Sequence, residues 1–263
     1  MTPTTIAAAL AERSGRGQAA LIPYVTAGHP EAQSTPGLLR AVAEAGADVI
    51  ELGIPFSDPL ADGPTIQRSS FQALERGTTV AKVLDALGSF RRTHATPVVL
   101  FTYLNPILGY GVEAFLADAC GAGAQGLLVT DLPTGADPPL EERIQASGLD
   151  LIRLVAPTTP PERVPIVAAG GSGFLYYISR TGVTGAREQL RGALAEEVAR
   201  VKAAVSLPVA VGFGISTPEQ AAAVAAVADG VVVGSALIQA LDRGGIEEGA
   251  AFVASLRQGM DAR

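Results

Sequence analysis

Tryptophan is absent from this 263-residue chain, cysteine occurs once and histidine twice. A single thiol closes no internal disulfide, and two imidazoles with one cysteine do not make up the usual zinc ligand sets. Cys120, in a helix-like run, reads as a small packing residue. Aromatic residues make up only 5% of the chain and hydrophobic residues 48%, so the core has to be aliphatic and alanine-based. There is no lysine or arginine cluster, and the formal net charge is −7. That balance excludes the basic face by which nucleic-acid readers hold phosphates. No apolar run approaches the roughly 18 residues that a membrane span requires. Met1–Arg16 has no apolar stretch ahead of a cleavage site. The expected setting is the cytoplasm.

What is present is punctuation and alternation. Thirty glycines and eighteen prolines are spread along the chain, as many short loops would require. Eight short apolar runs stand out: Ala19–Val25, Val49–Leu52, Pro97–Tyr103, Gly126–Val129, Leu151–Val155, Phe174–Ile178, Pro208–Val211 and Gly230–Val233. Most are nearly continuous in apolar residues, the pattern of strands buried on both faces of a parallel sheet. Helical stretches lie between them at Pro36–Ala45, Val112–Ala119, Pro138–Ser147, Leu190–Val205 and Pro218–Ala226. Thr217-Pro218-Glu219 has the form of an N-cap, a proline at the first helical position and an acid in the first turn. Alternation of this kind predicts an α/β fold, either a single (β/α)8 barrel spanning residues 1–263 or an open doubly wound sheet. Met1–Ser14 reads as an extra helix packed on the barrel's N-terminal end.

In a (β/α)8 barrel the chemistry sits at the C-terminal ends of the strands, and three segments there carry it. The first is Glu51 to Gln67 (ELGIPFSDPLADGPTIQ). Glu51 interrupts an apolar strand beside the glycine that ends it. Two readings fit: a structural ion pair with an arginine, or a desolvated general acid/base with a raised pKa. Asp62 and Asp58 lie in the following loop, as loop caps or, for Asp62, as the second member of an acid/base pair. The second segment is Ser179 to Arg187, a Gly/Thr-rich loop able to close over an anionic group. The third pairs Gly212 to Ser216 with Gly234-Ser235-Ala236. Its glycines admit close approach of backbone N–H groups, and a short helix starting near Ser235 would present its positive end to a phosphate. His29 reads as a loop histidine, and His94 falls at the inert end of the barrel.

The run from Glu51 to Gln67 closely resembles the signature segment of the tryptophan synthase α-subunit family. Pro23 to Gly28, Ser179 to Gly185, Gly212 to Ser216 and Gly234-Ser235 match that family's other motifs in order, so the resemblance covers nearly the whole chain. It implies a lyase that cleaves indole-3-glycerol phosphate by a retro-aldol step into indole and glyceraldehyde 3-phosphate, with no cofactor and no metal. Glu51 matches the family's acid/base glutamate, and Asp62 the aspartate at the indole N–H. Tyr24, Tyr103, Thr130, Tyr176, Thr184, Gly185, Phe213, Gly214, Gly234 and Ser235 match substrate-binding positions. Tyr24 and Thr130 depart from enteric members, which carry Phe and Ala there, and make the indole pocket more polar. The implied partner is a pyridoxal-phosphate β subunit in an α2β2 complex, docking around Phe56–Asp58 and Asn105-Pro106. A stand-alone lyase and a non-catalytic phosphate-binding regulator are the alternatives.

Overall fold

The computed structural model describes residues 5–179, 187–212 and 214–262, and of residues 187–192 the backbone alone. Among the described residues nine strands are present: β1 (Ala20–Thr26), β2 (Ile50–Gly53), β3 (Val98–Thr102), β4 (Gly126–Val129), β5 (Asp150–Leu151), β6 (Arg153–Val155), β7 (Leu175–Ile178), β8 (Val209–Gly212) and β9 (Gly230–Val233). Between and around them run α1 (Ile6–Gly15), α2 (Thr35–Glu44), α3 (Pro64–Glu75), α4 (Val80–Arg91), α5 (Leu104–Tyr110), α6 (Val112–Gly121), α7 (Pro138–Ala146), α8 (Val164–Ala169), α9 (Arg187–Ala204), α10 (Pro218–Ala225) and α11 (Ser235–Asp261).

All pairings are parallel, and the strand order is β5-β4-β3-β2-β1-β9-β8-β7-β6. Its two ends are consecutive in the chain, separated only by Ile152, so β5 and β6 are two halves of one strand. The first half pairs with β4 and the second with β7. The sheet closes into an eight-stranded barrel, and the open doubly wound alternative, which needs two free edges, is ruled out.

Two cores follow from the alternation of side chains across the sheet. Inside the barrel lie Ala20, Ile22, Val49, Val99, Leu128, Ile152, Phe174, Ala210 and Val232. A larger shell of Leu, Ile and Val fills the space between strands and helices, and two-sided burial is why the strand runs read as continuous. Helix α1 plugs the bottom of the barrel: Ile6, Ala9 and Leu10 belong to the interior cluster. Its N-cap, Thr5, accepts a hydrogen bond from the Ala8 N–H at 3.1 Å. The cap read at Thr217 is a full capping box, closed by Gln220.

Helices α3, α4, α5 and α8 were not expected from the sequence. Helix α3 starts inside the Glu51 to Gln67 segment, with Pro64 at its first position. The short helix expected near Ser235 is present as the first leg of α11. A second leg runs on to Asp261 beyond a break at Gly244 and Gly245, whose backbone is non-helical. The glycine pair ends the first leg, so residues 235–243 form a helix with an axis of their own.

Candidate active site

Strand register brings the acidic side chain into the barrel. Tyr24 of β1 pairs with Glu51 of β2, and Glu51 pairs with Val99 of β3; partners in a ladder point to the same face, here the interior. Glu51 is 1% exposed. One of its carboxyl oxygens has no hydrogen-bond partner, and among the described residues no ion pair reaches it. The structural ion-pair reading is therefore set aside. Burial alone pushes the Glu51 carboxyl up to about 8, because a low-dielectric surrounding penalises its charged form.

Above the strand ends opens a cavity of about 470 Å³. Glu51, Asp62, Tyr24, Thr130, Tyr176, Gly214, Gly234 and Ser235 all lie on its wall. Eight of the positions read from the sequence thus converge on one space. Asp62 comes from the β2–α3 loop, and desolvation raises its carboxyl to about 6, against the lowering effect of a hydrogen bond from Tyr103. That bond runs from the Tyr103 hydroxyl to Asp62 Oδ2 at 2.9 Å. Tyr103 stands behind Asp62, where its oxygen also accepts the Ala61 N–H at 3.0 Å. Two carboxyls with different environments and different pKa values share one cavity, the arrangement that separates acid and base roles.

Two glycines make room for the tyrosines. A Cβ on Gly53 would meet the Tyr24 hydroxyl at 2.1 Å, and one on Gly212 would meet the Tyr176 hydroxyl at 2.3 Å. Each ring leans over the strand next to its own, one layer above its ladder partner. Tyr24 also makes an edge-on contact with Phe101, centroids 5.2 Å apart. Both hydroxyls are raised far above the ordinary tyrosine range by burial, and the carboxylates of Asp62 and Glu51 add to this.

Also on the cavity wall, Gly234 is the N-cap of α11 and Ser235 its first residue. Gly214 has φ of +74°, a conformation in which a side chain is strained. The first N–H groups of a helix lack internal partners and carry the positive end of its dipole, which suits a phosphate. Thr184, Gly185 and Phe213, also read as substrate-binding, lie outside the described residues.

Phe101, Leu154, Ile178 and Val232 complete the apolar wall. Sequence reading missed them because apolar side chains in strands look the same whether they line a cavity or fill a core; their signal was position alone. His29 is buried, with Nε2 3.1 Å from Asp242, and is not on the cavity wall. Among the described residues no group of His, Cys, Asp and Glu is placed to hold a metal ion, and no helix is long and apolar enough to cross a membrane.

The model of the tryptophan synthase alpha chain family matches residues 10–261. The chain belongs to that family. An alpha chain of Phenylobacterium zucineum is 50% identical over 239 residues, 90% of this chain and 86% of the relative. One of Geobacter sp. strain M21 is 49% identical, covering 93% of each chain. Among solved structures, tryptophan synthase subunit alpha from Legionella pneumophila superposes with a TM-score of 0.91 at 39% identity, covering 98% of each chain. A Mycobacterium tuberculosis tryptophan synthase structure gives 0.89 at 39% identity, with 98% of both chains covered. The family places the chain in tryptophan biosynthesis as the α subunit, a lyase.

Proposed function

We propose that the cavity cleaves indole-3-glycerol phosphate with Glu51 as general acid and base and Asp62 as the partner of the indole nitrogen. The observation that carries the reading is Glu51: a buried carboxyl with no ion pair among the described residues, largely protonated at neutral pH, facing an apolar cavity that also holds an ionised Asp62. Protonated Glu51 delivers its proton to C3 of the indole, and the nitrogen lone pair supplies the electrons. Positive charge appears at the ring nitrogen, whose N–H donates to the Asp62 carboxylate. The Glu51 carboxylate then takes the proton of the side-chain hydroxyl adjoining C3. As that hydroxyl becomes the aldehyde of glyceraldehyde 3-phosphate, the C–C bond breaks and its electrons return to the ring, releasing indole. The step is a proton-balanced retro-aldol cleavage in which Glu51 ends as it began.

The apolar wall around Phe101, Leu154 and Ile178 takes the indole ring, Tyr24 and Tyr176 bound the reacting carbon, and the phosphate sits against Gly214, Gly234 and Ser235. The chain works as one domain across residues 1–263, in the cytoplasm, with a β subunit as partner. Leu60, 82% exposed, and Leu108, 52% exposed, put apolar surface on the two segments expected to dock it, and such exposed side chains mark contact faces when they cluster.

The test is release of indole from indole-3-glycerol phosphate by the purified chain, with and without an added β subunit. Slow release that accelerates with the β subunit is expected. Fast release unaffected by it supports a stand-alone lyase, and no release under either condition leaves only a ligand-binding role.

A further inference from the structure

The two helices that start beside the two halves of the proposed substrate are tied to each other. Helix α3 begins at Pro64, two residues after Asp62, and α11 begins at Ser235, beside the proposed phosphate position. The strand order puts only β1 between the strands that precede them. Side chains link α3 to the first leg of α11 at successive levels. Ile66 Cδ1 lies 3.4 Å from where a Cβ on Gly234 would stand. Gln239 Nε2, from a residue on the cavity wall, donates to Thr65 Oγ1 at a long 3.5 Å. Arg68 Nη2 donates to Asp242 Oδ2 at 2.6 Å. Thr65 and Arg68 share one face of α3, and Gln239 and Asp242 share one face of α11, because residues three apart lie on one side of a helix.

Asp242 sits in the last turn of the leg, two residues before Gly244. A negative charge there is opposed by the helix dipole, so the leg by itself does not favour it. Its second neighbour is His29, in the loop after β1, with Nε2 3.1 Å from Oδ1 but out of line for a hydrogen bond. Burial holds the His29 imidazole below its ordinary pKa, which leaves Arg68 as the cation on Asp242 among the described residues. Leu237, Ile238 and Leu241 bury the leg against the barrel. Hydrophobic contact is not directional, and the glycine break separates the leg from the rest of α11, so polar links set how far it slides. The Arg68–Asp242 pair is partly open, at 51% and 30% exposure, and such pairs add little to stability. Its consequence is geometric.

We propose that Asp242 is a positioning residue: through Arg68 it fixes the distance between the first turn of α11 and Asp62, and with it the length of ligand that reaches both. Asp242 is not on the cavity wall, so it acts through the two helices. A ligand held at two places gains from the second contact only when the spacing matches. The inference rests on the lyase reading for the ligand, and on the links between α3 and α11 alone for the brace.

Asp242→Asn keeps the shape and removes the charge, and Arg68→Ala removes the partner. The probe is indole-3-propanol phosphate, which has the ring, the carbon arm and the phosphate but lacks the hydroxyl that becomes the aldehyde. Either variant is expected to bind it about fivefold more weakly, while inorganic phosphate and indole, which each occupy one place, bind within about twofold of the parent. The KM for indole-3-glycerol phosphate rises by a similar factor and kcat holds, as when binding common to ground and transition states is lost. Arg68→Lys keeps most of the parent's affinity, and Asp242→Asn combined with Arg68→Ala shows no further loss. The melting temperature stays within about 2 °C of the parent's. Unchanged binding of the long probe, equal weakening of all three ligands, or additive losses in the double variant overturns the proposal. These shifts in a chain that releases no indole would instead overturn the lyase reading and leave the brace standing.

Discussion

Glu51 is held in the folded chain in a surrounding that disfavours its charge, and that has consequences for stability as well as catalysis. Its folded-state pKa of about 8 lies above the ordinary carboxylate value of 4.5, so the folded state holds a proton that the unfolded state releases. The penalty is absent below the unfolded pKa and grows as pH rises to about 8, where the folded group also ionises. Glu51→Gln carries no such penalty: its melting temperature is expected to exceed the parent's by a margin that widens from pH 5 to pH 8.5, and a constant margin would contradict the burial argument. In catalysis the two carboxyls predict a bell. Asp62 must be ionised and Glu51 protonated, so kcat/KM should rise through a limb near 6 and fall through one near 8, as free-enzyme groups report there. At Gly234 a methyl group would make only ordinary contacts, the nearest at 3.4 Å to Ile66. Gly234→Ala should therefore be mild, whereas a larger side chain enters the cavity and raises KM far more than it lowers kcat.

Among the elements, α1 lines no part of the cavity and closes the interior core from below with Ile6, Ala9 and Leu10. Ile6 is fully buried, and its Cδ1 lies so close to Gly126 that a Cβ there would approach it to 2.9 Å. Ile6→Ala opens a hole at the base of the barrel and should cost about 2–5 kcal/mol of stability, read as a fall in the urea midpoint with an unchanged slope. No fall would mean that the helix is not part of the core. The strands were legible because two-sided burial writes itself as continuous apolar runs; the break in the fifth was not, since Ile152 belongs to the same apolar run. Helices α3, α5 and α8 were missed for a different reason. Pro64, Pro106 and Pro165 read as loop signals, yet each stands in the first turn of its helix, where the missing N–H has no partner to lose. Glu51 could be found from its place in a strand. The partnership of Tyr103 with Asp62 could not, because it depends on how the β2–α3 loop folds back over β3.

On the scale of the whole molecule, a closed parallel barrel gathers residues from β1, β2, β3, β6, β7 and β9, and from the loops after β2, β4, β8 and β9, around one cavity, which explains why positions scattered from Tyr24 to Ser235 meet. The family signature could be read end to end, but the segment holding Thr184 and Gly185 lies outside the described residues. Leu108 is half exposed on α5, away from the cavity wall. Leu108→Asp is expected to weaken acceleration by a β subunit while the isolated chain keeps its own rate; unchanged acceleration would remove α5 from the docking face. The central claim, that the buried Glu51 moves the protons, is tested most directly by the rate of indole release from indole-3-glycerol phosphate by Glu51→Gln beside the parent. Retained ligand binding and a loss of at least about a thousandfold are expected, the upper part of the range for a positioned acid/base. Turnover within about tenfold of the parent, a barrier change of only about 1.4 kcal/mol, would contradict it.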